Sequence, residues 1–170
     1  MEFIQIQDAT SERAERIYSH YSQTFPEDER RDLKQFSQLF ENKNVEIFGI
    51  FFTNKFVGYS IIWTLSDFSF MEHFEIFSEH QNQNFGSTFL KNITEKHPHL
   101  ILETEPKDLN EDAQKRIKFY ERNGFFILQE DYIQPPYSED KKPITLWLMA
   151  NYHPQKLEFV KENIYDVVYR

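Results

Sequence analysis

The stretch FSFMEHFEIFSEHQNQNFGSTFLKNI, residues 68–93, decides how this chain is built. Phe68 to Phe77 is rich in β-forming residues and reads as a strand. From Asn84 the period changes: Phe85, Phe89, Leu90 and Ile93 fall three and four apart, which predicts a helix with one buried face. A polar loop, Gln81-Asn82-Gln83-Asn84, joins the two and leads into Phe85-Gly86-Ser87. Pro98 then opens a short apolar run, His99 to Thr104. Strand, loop, helix and strand in that order make a crossover unit, which is right-handed and joins parallel strands.

On the N-terminal side, Val45 to Thr53 and Lys55 to Leu65 join Phe68 to Phe77 as an antiparallel meander, broken by Asn54 and by Ser66-Asp67. Further back, Phe3, Ile4 and Ile6 predict a first strand. Asp8, Thr10 and Ser11 offer caps for a helix from Glu12 to Thr24, which Pro26 ends. The charged block Glu27 to Asp32 opens a second helix, where Leu33, Phe36, Leu39 and Phe40 predict one buried stripe. On the C-terminal side a helix from Asn110 to Arg122 meets Gly124, a good residue just past a helix end. Strands follow at Phe125 to Ile133 and Ile144 to Met149. A last helix begins at Pro154 and carries Leu157, Val160, Ile164 and Val167. The pattern predicts a single α/β domain over residues 1–170, with helix 154–170 packed on it or against a second subunit.

Composition narrows the function. The chain has 170 residues and no cysteine, so a disulfide scaffold is excluded. Its 18 Phe, 9 Tyr and 2 Trp supply the bulk of the core. With 19 basic against 28 acidic residues the net charge is −9, which disfavours nucleic acid and anionic membrane as partners. Met1 to Asp8 has neither a positive nor an apolar signal region, and the longest apolar stretch, Ile47 to Phe52, is far short of the roughly 20 residues of a membrane span. A soluble cytoplasmic protein is expected.

Two segments carry the chemistry: Gln81 to Ser87 with the preceding Phe74-Glu75-Ile76, and Arg116-Ile117-Lys118-Phe119-Tyr120-Glu121-Arg122-Asn123-Gly124-Phe125. Together they resemble the coenzyme-A motif and the FY…GF motif of the GNAT family of N-acetyltransferases. Phe25-Pro26-Glu27-Asp28-Glu29-Arg30-Arg31, Leu102-Glu103-Thr104-Glu105-Pro106 and Gln134-Pro135-Pro136-Tyr137 extend the likeness to a bacterial subgroup over nearly the whole chain.

The resemblance implies the GNAT fold: a mixed, mostly antiparallel central sheet flanked by helices, here with an extra C-terminal helix. It also implies acetyl-CoA as co-substrate, no metal, and an acetyl group passed directly to a small-molecule or peptide amine, by a monomer or homodimer. Gln81, Asn82, Gln83, Asn84, Phe85, Gly86 and Ser87 would grip the coenzyme pyrophosphate with backbone amides at a helix start. The backbone of Phe74, Glu75 and Ile76 would meet the pantetheine, and Tyr120 would sit by the sulfur and protonate the leaving thiolate. The chain departs from the family in two places: Asn84 stands for the usual first glycine, and Ala113 and Arg116 stand where an asparagine and a small residue are common. No asparagine contact to pantetheine is therefore carried over. A catalytically silent acyl-CoA-binding or protein-interaction module is the alternative that the Asn84 replacement keeps open.

Direct attack by an amine needs a base, and carboxylates are the natural choice. Strict strand alternation puts Glu72 and Glu75 on opposite faces and Glu103 and Glu105 on one face. Glu72 and Glu103 are the base candidates. Other features point elsewhere. His97-Pro98-His99 lacks a third metal ligand at a suitable spacing, His73 reads as a packed or exposed strand histidine rather than a ligand, and Asn92-Ile93-Thr94 sits inside a helix where glycosylation is not expected. Arg116 and Arg122 have the reach for a phosphate, but pairing with Glu121 or Glu111 on a solvated helix face is the expectation.

Overall fold

The computed structural model describes all residues, 1–170. Seven strands, β1 (Glu2–Gln5), β2 (Val45–Phe52), β3 (Lys55–Thr64), β4 (Ser69–Ile76), β5 (Leu100–Thr104), β6 (Phe126–Gln134) and β7 (Ile144–Ala150), form one sheet in the order β1-β2-β3-β4-β5-β7-β6. The meander β2-β3-β4 is antiparallel, and the crossover makes β4 and β5 parallel. Five helices cover the sheet: α1 (Glu12–Thr24), α2 (Leu33–Gln38), α3 (Phe85–Lys96), α4 (Glu111–Arg122) and α5 (Leu157–Val168). No helix is long and apolar enough to cross a membrane.

Two apolar layers result, one on each face. On one face α1, α2 and α5 bury Ile17, Tyr21, Phe36, Val160 and Ile164 against Tyr59, Ile61 and Phe70. On the other, α3 and α4 bury Phe85, Phe89, Leu90 and Ile117 against Ile62, Met71 and Leu102.

Two helices differ from their expected stripes. Residues 27–29 form a separate 3-10 turn, and Asp32 caps α2 by accepting from the Gln35 amide at 2.7 Å. This late start rotates Leu33 out to 58% exposure, leaving Phe36 and Leu39 in the core. In α5, which starts at Leu157 rather than at Pro154, the buried set is Val160, Ile164 and Val168, four residues apart, so Val167 is only partly covered.

A bulge in β4 governs the site. Ile61 pairs with His73 but Ile62 pairs with Met71, so Glu72 has no partner in β3. One extra residue flips the strand's phase. Glu72, His73 and Glu75 consequently all face α1: His73 meets the Tyr21 and Phe25 rings, and Glu75 accepts from the Thr24 hydroxyl at 2.8 Å. The opposite-face placement of Glu72 and Glu75 is thus corrected.

Candidate active site

The crossover that builds α3 leaves its first turn open. Asn84 takes a left-handed conformation, φ 65°, at the helix start, and no side chain caps the first amides. Asn82, φ 60°, bends the loop a second time. Gln81 fixes the loop to the sheet by donating from its side-chain amide to the Ile76 carbonyl at 2.9 Å. Gln83 lies 3.5 Å from the Glu79 carbonyl. A Cβ at Gly86 would stand 3.0 Å from the Phe119 ring and 3.7 Å from Ile76, so the bare backbone lets α3 lie close to α4 without displacing that ring.

β4 and β5 pair at only three positions, Ser69–Leu100, Phe70–Ile101 and Met71–Leu102, and then diverge. Beyond them the β5-facing edge of Phe74, Glu75 and Ile76 has no neighbouring strand. Phe74 itself stacks on Phe89 with ring centroids 5.0 Å apart.

Tyr120 is held by the end of α4. The Phe125 amide donates to the Tyr120 carbonyl at 3.1 Å and the Gly124 amide to the Glu121 carbonyl at 3.1 Å, with Gly124 at φ 87°. That paired-bond ending brings Phe125 onto the Tyr120 ring, centroids 5.8 Å apart. Burial pushes the Tyr120 phenol up to about 12, partly offset by the Arg116 charge.

The two base candidates occupy different environments. Glu72 is enclosed: Arg31 donates to Oε1 at 3.0 Å, Tyr137 to Oε1 at 2.7 Å and Trp63 to Oε2 at 2.7 Å. Burial works to raise its carboxyl, but Arg31 with these hydrogen bonds holds it below the usual range. Both oxygens already accept hydrogen bonds, so Glu72 anchors these three segments to β4. Beside it, burial drives the His73 imidazole down to about 4, so the ring is neutral near pH 7. Arg31 also donates to the Val168 carbonyl at 2.7 Å, tying α5 to the same centre.

Glu103 accepts from the Tyr169 hydroxyl, while its Oε2 is buried without a partner. Burial raises this carboxyl to about 8, with the Glu72 charge adding to the shift.

Several charged residues stand apart from their expected partners. Arg116 pairs with Glu105, neither with Glu121 nor with Glu111. Arg122 has no carboxylate within ion-pair distance and lines a polar groove with Asn84, Ser87, Thr88 and Lys91. Nothing in the spacing of α4 alone could bring Arg122 to that loop; the crossover does. Glu29 is the carboxylate the sequence reading passed over. Burial raises it to about 7, with Glu105 raising it further and Arg116 lowering it. His97 accepts from or donates to Ser69 Oγ at 2.8 Å, His99 stacks on Tyr152, and no three His, Asp or Glu residues gather into a metal cage.

The sequence profile of the acetyltransferase (GNAT) family matches residues 14–125. No curated protein matches the sequence. Among solved structures, a chain from Bacteroides thetaiotaomicron placed in the GNAT acetyltransferase family superposes with a TM-score of 0.90 at 25% identity, over 99% of this chain and 98% of that one. The ribosomal-protein-S18-alanine N-acetyltransferase from Escherichia coli follows at TM-score 0.62 and 16% identity, covering 92% and 97%. A Bacillus subtilis acetyltransferase in complex with CoA gives TM-score 0.62 at 11% identity, covering 90% and 99%; these last two share the fold. With the profile spanning most of the sheet and α1 to α4, the chain belongs to the GNAT family of acetyltransferases.

Proposed function

We propose that the protein transfers an acetyl or other short acyl group from coenzyme A to a primary amine by direct attack. The observation that carries this reading is the break in the β4–β5 ladder next to an uncapped α3 start. An extended thioester fits such a gap, and a pyrophosphate fits the free amides. Asn84 to Ser87, with Arg122 and Lys91, would hold the pyrophosphate, and the unpaired edge of Phe74 to Ile76 would hold the pantetheine. Asn84 already adopts the left-handed conformation that a glycine would supply, so its presence does not distort the loop.

In the proposed reaction the amine nitrogen bonds to the thioester carbon, the C–S bond breaks, one proton leaves the nitrogen and another reaches the sulfur. Glu103 is assigned as base, because it has an unpaired oxygen and a raised carboxyl. Tyr120 is assigned as acid. Its phenol at about 12 is a weaker acid than a free tyrosine, and a thiolate leaving into the same desolvated surroundings is raised by the same cause.

The test is free-thiol release from acetyl-CoA across a panel of amines, with Tyr120→Phe as comparison. The variant keeps the ring packing, so coenzyme affinity and melting temperature should stay near those of the parent while turnover falls roughly a hundredfold or more. Full turnover in Tyr120→Phe removes the tyrosine from the proton path. Coenzyme binding with no thiol release for any amine supports a silent binding module.

A further inference from the structure

On the α1 face, beside the β2–β3 hairpin and reaching His80 just ahead of the α3 loop, lies an open groove of about 510 Å³ lined by Glu12, Arg13, Arg16, Lys55 and His80 over the rings of Phe51 and Phe56. None of Arg13, Arg16 or Lys55 has a carboxylate within ion-pair distance, although the chain as a whole carries nine more acidic than basic groups. Three permanent cations against Glu12 alone leave two uncompensated positive charges, with His80 within 4.0 Å of Glu79 at the rim.

The arginines are also oriented. Phe51 and Phe56 stack with centroids 4.9 Å apart. The Arg13 guanidinium lies 4.9 Å above the Phe51 ring, and that of Arg16 lies 5.2 Å from Phe56 and 5.5 Å from Phe77. A guanidinium held against a ring loses rotamer freedom before any ligand arrives, while its N–H donors remain available for an oxyanion. Two such forks three residues apart on α1, and an ammonium from the β2–β3 hairpin, suit an anion with more than one charge and several oxygens.

We infer that this groove is a second ligand site, separate from the coenzyme site, that takes a small phosphate-bearing anion such as a phosphate ester or polyphosphate. The doubly positive setting matches a phosphate dianion better than a monocarboxylate, and the groove is of the size small ligands occupy. Its cations come from α1 and the β2–β3 hairpin, so none of them belongs to the groove beside Arg122.

Calorimetry with inorganic pyrophosphate tests this in the full chain with saturating CoA present, which keeps the α3 loop from answering for the groove. The expected result is saturable binding that weakens at least tenfold in the double variant Arg13→Gln/Arg16→Gln, with acetyl-CoA affinity within twofold of the parent. Lys55→Glu, an exposed hairpin change that disturbs no packing, should weaken pyrophosphate binding likewise, so the reading stays testable should the double variant not fold. Absent binding, or binding indifferent to Arg13, Arg16 and Lys55, overturns the proposal. So does parallel loss of acetyl-CoA affinity, which would make the groove part of the coenzyme site. If acetyl-CoA fails to bind the parent at all, the proposed transfer falls, while the response of pyrophosphate to Lys55→Glu still decides this site.

Discussion

Ser87→Glu separates a phosphate-binding loop from an ordinary helix start, because the two readings move opposite observables. Ser87 is the third residue of α3 after Asn84, and the first-turn amides have no side-chain cap. A carboxylate there meets the positive end of the helix dipole and should stabilise the fold by about 0.3–1 kcal/mol. For a domain of this size that raises the melting temperature by about 1–4 °C. Against a pyrophosphate the same carboxylate is repulsive. At about 6 Å from two negative charges, with an effective dielectric constant of about 40–80, it costs roughly 1.4–2.8 kcal/mol, a ten- to hundredfold rise in Kd. Calorimetric titration of acetyl-CoA and a thermal melt read the two effects, and Ser87→Gln controls for size. A variant that melts higher and binds acetyl-CoA as tightly as the parent would refute the assignment of the loop to the pyrophosphate. A lower melting temperature would refute the statement that the first turn is uncapped.

Other perturbations probe the opposite face. Arg31→Met strands the buried Glu72 carboxylate and should cost roughly 3–5 kcal/mol in denaturant unfolding, most of it recovered in Arg31→Met/Glu72→Gln; an additive double variant would contradict the pairing. Glu103, raised to about 8 when folded, keeps a proton that the unfolded chain releases above about 4.5, so stability should fall as pH rises through that window. Glu103→Gln should flatten that slope and remove a rise in kcat/KM centred near 8, whereas a surviving rise near 7 would assign the base to Glu29. Ile164→Ala, in the fully buried stripe of α5, should cost about 2–5 kcal/mol. An unchanged melt would mean that α5 is not needed by the sheet.

Elements set by local periodicity were legible in the sequence. α1 matches its expected bounds because Ser11 caps it and Pro26 follows it, and the crossover was readable because the apolar period changes at Asn84. What stayed hidden depends on distant partners. The β4 bulge leaves no mark in the order of residues 69–76, since Glu72 becomes unpaired only through its register with β3. That one slip placed Glu75 on the wrong face in the sequence reading. Likewise, Glu72 and Glu103 look alike as strand carboxylates, and only Arg31, Trp63 and Tyr137, brought from three separate segments, make one an anchor and leave the other raised. Leu33 was misplaced for a local reason: Asp32 outcompetes the earlier acidic residues as a cap.

The short β4–β5 ladder has a mechanical meaning. Three rungs, at Ser69 to Met71, join a four-strand plate to a three-strand plate, so the sheet's weakest seam runs through its middle and its outer margins are better supported. Across this seam the two plates share fewer paired positions than any other neighbouring strands of the sheet. Any extended ligand laid along the open edge of β4 adds rungs to the seam and stiffens it. Amide exchange at Phe74 to Ile76 and Glu103 to Thr104 would then report occupancy of the cleft directly, even for a ligand whose chemistry is silent.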